Sequence, residues 1–324
     1  MSAKGRTHPC ALLLTSGTPW LGQSCPNTFL QAHDRPCYMI FFETPVGKGI
    51  SRAMLSWYNP FMSSWALLVA GLILLAPAPQ KEETRMQSGK KRLLVVTHTA
   101  GFRHGDSIEL GEKILAQIGE RSGVFEVDYC RDASEVQKML TPQFLDEGKY
   151  DGVIFLNTTG DIGVPDLQGF LDWIKTGKAF IGIHAAADTY HNRKEYLEMI
   201  QGEFAYHGRQ TKVEAKVERP DHPAVAHLAP VWVVFDEIYL FKENNRKNVT
   251  VLLSMDRHPD DGTPNAGKEG DYLLAWCRDY GQGRVFYTAL GHRLDVWESP
   301  EYQRHLLGGI LWALRLQEKG AVKF

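Results

Sequence analysis

Imidazoles dominate the side chains of this sequence that could carry chemistry. The 324 residues include 12 histidines. His98 and His104 bracket a Gly-Phe-Arg turn after an apolar run, His184 closes a second run, and His191, His207, His222 and His292 lie in loop-like segments. A histidine ring titrates nearer neutral pH than other side chains, so two rings in one crevice suit general acid and base catalysis. Neutral rings joined by a carboxylate are also good zinc ligands. No HExxH or other short ligand spacing is present, so a metal reading rests on the number of histidines and their expected convergence. The turn Gly182-Ile-His-Ala-Ala186 has the form of a nucleophile elbow, in which a sharp strand-to-helix turn lifts one side chain above a sheet. It holds His184 where acyl transfer needs Ser or Cys, and neither Cys130 nor Cys277 occupies such a turn. Thr99-Ala-Gly-Phe-Arg103 lacks the GxGxxG spacing, which argues against dinucleotide binding.

The elements that must position these groups alternate. Arg92–Thr97, Val124–Cys130, Gly152–Leu156 and Ala179–His184 are short, largely apolar runs that read as strands. Between them, Ser107–Gly119 repeats Leu110, Ile114 and Ile118 every four residues, with Asp106 and Glu109 spaced as a capping box. A second helix opens at Pro165, buries Leu167, Phe170, Leu171 and Ile174 and stops at Gly177; a third runs near Arg193–Ile200. Apolar strands separated by amphipathic helices predict a parallel sheet covered on both faces. In such a sheet ligands bind beyond the carboxyl ends of the strands, where strand order reverses, which is where His98, His104 and His184 fall. The second half is less regular, with strands, several of them antiparallel, expected at Val213–Glu218, Val231–Val234, Val249–Met255, Tyr272–Arg278 and Arg284–Thr288. A closing helix begins at Ser299-Pro-Glu301, with His305 on its exposed side. His222 before Pro223 reads as a turn former.

Composition separates this region from what precedes it. The formal net charge of −2 sums +3 up to Gln80 and −5 beyond it, so no global positive field draws the chain to nucleic acid. Residues 1–53 show no hydrophobic period, and 1–60 read as an unstructured extension, with Met39, Met54 or Met62 as the physiological start. Trp65–Leu75 is an uninterrupted apolar run of 11 residues within a 61–80 segment that reads as a signal peptide or an uncleaved signal anchor over 61–78. Export to the periplasm or exterior follows, with membrane contact only through that segment. Residues 81–90 read as a linker, 91–318 as the α/β domain and 319–324 as a tail.

An ordered series of motifs resembles a known family. His98-Thr-Ala-Gly-Phe-Arg-His104, Gly182-Ile-His-Ala-Ala186, Gly202-Glu-Phe-Ala-Tyr-His207, Asp221-His-Pro223, Asp236-Glu-Ile-Tyr239, Gly283-Arg-Val-Phe-Tyr287, Gly291-His292 and Trp312 are similar to the trehalose-utilisation, or ThuA-like, family over about Arg92–Leu316. The resemblance implies a three-layer α/β sandwich with a mostly parallel, flavodoxin-like sheet of the class I glutamine amidotransferase-like kind, lacking the amidotransferase cysteine. It also implies sugar, especially disaccharide, metabolism. On that footing the leading expectation is a His-dependent enzyme acting on a disaccharide, glycoside or keto-glycoside. His104 and His184 would be acid and base with Glu237, while His98, Arg103, Asn157, His207 and His292 would contact substrate. Trp297 either stacks on a sugar face or packs in the core. The alternatives are a zinc-dependent hydrolase or isomerase with ligands among His184, His207 and His292, or a non-catalytic sugar-binding module. Zn2+ is the one cofactor considered, and the expected partner is a small-molecule sugar.

Overall fold

The computed structural model describes residues 89–316. The expectations for 1–60, 61–80, most of 81–90 and 319–324 lie outside those residues. The chain opens with β1 (Lys91–Val96), α1 (Gly105–Ser122) and β2 (Phe125–Cys130), followed by two short helices, α2 (Ala133–Met139) and α3 (Pro142–Glu147). Next come β3 (Gly152–Leu156), α4 (Leu167–Lys175), β4 (Ala179–Ile183), a 3-10 turn at His184–Asp188 and α5 (Lys194–Ile200). The second half runs β5 (Phe204–His207), β6 (Thr211–Val217), β7 (Val231–Asp236), β8 (Tyr239–Phe241), β9 (Thr250–Arg257), β10 (Glu269–Tyr280) and β11 (Gly283–Thr288). Helices α6 (Leu294–Glu298) and α7 (Pro300–Ala313) close it.

Nine strands form one sheet in the order β2-β1-β3-β4-β11-β10-β9-β6-β7, and β5 and β8 form a small second sheet. The pairs among β2, β1, β3, β4 and β11 are parallel, the flavodoxin-like half, and from β11 outward every pair is antiparallel. Strands β3 and β4 are buried at every residue, as expected where helices cover both faces. One core joins Ile114, Leu115 and Ile118 of α1 to Leu306 and Ile310 of α7; the other, across the sheet, takes in Val136, Leu145, Phe170 and Tyr196 from α2 to α5. Among the described residues no helix is long and apolar enough to cross a membrane.

Two local expectations fail. Helix α1 starts earlier than its periodicity suggests, with His104 as N-cap and no side-chain capping bond, so the Asp106–Glu109 box does not form. Asp106 lies in the first turn instead, where a carboxylate complements the positive end of the helix. His305 is fully buried, its Nδ1 2.9 Å from the Ala224 carbonyl oxygen. The stretch around Pro223 and Ala224 runs so close over α7 that a Cβ at Gly308 would collide with its backbone, which is why both sides of that helix are covered.

Candidate active site

The site grows from chain reversals at the carboxyl ends of the parallel strands. His184 follows β4 with φ of +46°, a left-handed backbone that few residues other than glycine adopt, and the sharp turn projects its ring above the sheet. The Tyr287 hydroxyl donates to the His184 carbonyl at 2.8 Å, and the His184 Nδ1–H donates to the Ala289 carbonyl at 2.7 Å. That second bond fixes the orientation of the ring and leaves Nε2 facing inward, toward Glu237. His104 arrives from the β1–α1 loop, which is tied to Thr159 by the Ala100 and Gly101 amides. His292 sits in the β11–α6 loop beside Gly291, whose φ of +114° suits glycine. Glu237 comes from the β7–β8 turn.

These four groups converge. The rings of His104, His184 and His292 form a near-equilateral triangle, with centroids 5.1, 5.2 and 5.3 Å apart and planes close to perpendicular. Glu237 Oε2 lies 3.4 Å from both His184 Nε2 and His292 Nδ1. One donor atom from each of the four residues falls within 4.8 Å of all the others. At 3.4 Å the contacts to Glu237 are ion-pair distances without hydrogen-bond geometry, so His104 Nδ1, His184 Nε2 and His292 Nδ1 are buried with no hydrogen-bond partner among the described residues. Burial, reinforced by the neighbouring rings, pushes the His104 pKa down to about 3 and keeps it neutral. Burial alone would raise Glu237, but its contacts with His184 and His292 prevail and hold it well below the usual carboxylate range. For His292 burial is outweighed by Glu237, and its pKa rises.

The remaining sequence candidates separate. His207 stands at the rim, 44% exposed, with Nδ1 3.2 Å from Glu237 Oε1, so His104 takes the place in the cluster that the sequence offered to His207. Arg103 lines the neighbouring cleft but donates to the Thr97 carbonyl at 2.8 Å. His98 is on the side of Asp132 and away from the cleft lining. Asn157 is corrected as a substrate contact, and Trp297 takes the core alternative rather than a sugar face. Both are fully buried: Asn157 Nδ2 donates to Ser107 Oγ at 2.8 Å, and Trp297 Nε1 lies 2.9 Å from both Ser107 Oγ and the Gly291 carbonyl. They brace the loop that carries His292 and offer no face to a sugar. The sequence reading assigned no role to Asp236, which is buried and accepts the Gly291 amide at 2.7 Å and the Arg293 amide at 3.1 Å, clasping His292 from both sides. Its one visible signal was its place beside Glu237 in the Asp-Glu-Ile-Tyr motif. Cys130 and Cys277 are buried and outside the cluster, and burial pushes both thiols up to about 12, so neither is a thiolate nucleophile.

A cleft of about 740 Å³ opens onto His104 and His292, walled by Phe102, Gln210, Arg293 and Glu298. That is room for a ligand the size of a disaccharide. The cleft thus reaches two of the four clustered groups, His104 and His292.

Comparisons with known proteins agree with the fold. A putative ThuA-like protein from Parabacteroides merdae ATCC 43184 superposes with a TM-score of 0.59 at 21% identity, covering 72% of this chain and 93% of that one. A second, from Bacteroides uniformis ATCC 8492, gives 0.53 at 22% identity, covering 69% and 91%. None of the curated proteins compared with the chain matches it. The sequence matches the family model described as ThuA, trehalose utilisation, over residues 92–313, which spans every strand of the large sheet but the first residue of β1. The family's description points to carbohydrate metabolism, and the chain belongs to the ThuA family.

Proposed function

We propose that the protein is an enzyme of carbohydrate metabolism that hydrolyses or isomerises a disaccharide, glycoside or keto-glycoside with the help of a divalent cation, zinc first among the candidates. His104, His184, Glu237 and His292 would hold that cation. The observation that carries this reading is the convergence of four donor atoms within 4.8 Å, with a buried, unpartnered nitrogen on each ring. Imidazoles and a carboxylate are donors that zinc takes, and a backbone carbonyl orienting one ring is the outer support such ligands have. His104, held neutral by burial, is a poor proton donor near neutral pH, which weakens the cation-free reading in which it trades a proton with His184.

A bound cation would polarise a sugar oxygen and stabilise negative charge growing on it. The protein's own groups do the rest. Glu237 keeps its charge and aligns the rings of His184 and His292. His207, exposed at the rim beside Glu237, is placed to pass a proton between substrate and solvent. The cleft orients the sugar, and Asp236 keeps His292 in register. The carbohydrate substrate is supported by the family description.

Elemental analysis of untagged protein is expected to find about one divalent ion per chain, and His184→Ala to hold well under half of that. Turnover of disaccharides and 3-keto-glycosides, followed by mass spectrometry, is expected to stop with chelator and return with metal. Metal below about a tenth per chain together with chelator-insensitive turnover would overturn the reading.

A further inference from the structure

We infer that Phe102 is the platform on which a sugar ring of the substrate stacks, and that the cleft it borders takes neutral, unphosphorylated sugars. This rests on the reading of the site as one for carbohydrate. Phe102 is 69% exposed, the highest value among the exposed large apolar side chains of the described residues. Its ring stands 4.9 Å from that of His104 and nearly perpendicular to it, at the mouth of the cleft.

The backbone beneath it is firmly held while the ring is left uncovered. The Phe102 carbonyl accepts from Thr159 Oγ1 at 2.8 Å, the Gly101 amide donates to the same hydroxyl at 3.2 Å, and Arg103 is tied back to Thr97. A pinned loop presenting one bare aromatic ring is preorganised for a ligand with an apolar face. The C–H face of a pyranose is such a face, and its hydroxyls would meet the polar wall opposite.

That wall selects against anions. Arg293 donates to Asp295 through two of its nitrogens, at 2.8 and 3.0 Å, and to Gln210 through the third, at 2.7 Å, while Arg103 bonds a carbonyl. Asp106, Asp295 and Glu298 outnumber these two arginines along the lining. A phosphate held against that wall, away from the proposed cation, would meet three carboxylates and two arginines already engaged.

The test uses the full chain, loaded with metal, as wild type, Phe102→Ala and Phe102→Trp, with trehalose, maltose, sucrose, their 3-keto forms and trehalose 6-phosphate as probes. For a neutral sugar that the wild type turns over, Phe102→Ala is expected to raise KM about tenfold with kcat changed less than about threefold, and Phe102→Trp to stay within about threefold of wild type. Metal content should match in all three, and trehalose 6-phosphate should inhibit at least about tenfold more weakly than trehalose competes. A KM for Phe102→Ala within about twofold of wild type, or tighter binding of the phosphorylated sugar, overturns this inference and leaves the carbohydrate reading standing. Wild-type protein that turns over no member of the panel overturns both.

Discussion

A single buried carboxylate decides where His292 stands. Asp236 accepts two backbone amides on either side of that ring, so replacing one of its oxygens by an NH2 group sets donor against donor in a dry pocket. Asp236→Asn is expected to lower stability by about 1–3 kcal/mol, read by urea denaturation, and to lower metal content at fixed free metal. A stability loss with unchanged metal content would mean that the clasp does not set the ring. At this scale the sequence was informative where a functional residue also ends or begins an element. His104 precedes a helix, His184 ends a strand and His292 follows a glycine, so chain position alone marked them. Asp236, Asn157 and Trp297 act through backbone groups and Ser107, and no spacing rule announces such partners. Phe102 was legible only as a letter of a motif, because exposure belongs to the folded surface.

Among the elements, the inner parallel strands β3 and β4 were read with the least error because burial on both faces leaves them apolar without interruption. Helices α2 and α3 went unread: they have 7 and 6 residues, each with one buried side chain, too little for a period. Their caps are clear in retrospect, Asp132 accepting from the Glu135 amide and Thr141 from that of Phe144, with Pro142 opening α3. The exposed face assigned to α7 was wrong because the covering segment is distant in sequence. That burial has a pH consequence. His305, enclosed between α7 and its cover, has its pKa pushed down to about 3 by burial, and His222 is pushed down to about 4 for the same reason. A ring that titrates lower in the folded chain than its ordinary 6.5 leaves the unfolded chain holding more protons in acid. The stability that depends on these two rings staying neutral is therefore full above about pH 6.5 and falls as pH drops toward the folded values. His305 alone should account for roughly 2–3 kcal/mol at pH 4.5. Denaturation of His305→Gln is expected to show a shallower acid decline than wild type, and parallel declines would refute the assignment.

For the whole molecule, the sheet has unequal flanks. On β7, paired only with β6 among the described strands, Val231, Val233 and Phe235 are about half exposed, whereas the charged Lys212, Glu214 and Lys216 alternate along β6. An apolar row on an edge strand invites pairing between copies. Val233→Lys is expected to raise the concentration at which light scattering sets in, with turnover unchanged; an unaltered onset would show that the edge is already protected. The same breadth of sheet governs how the site comes into being. His104 comes from the first loop of the domain, Glu237 from the far edge of the sheet and His292 from the last loop before the closing helices. During synthesis the donor set is therefore incomplete until nearly the whole domain has left the ribosome. Failure of β11 to dock would leave a chain with most of its secondary structure formed and its four converging side chains apart.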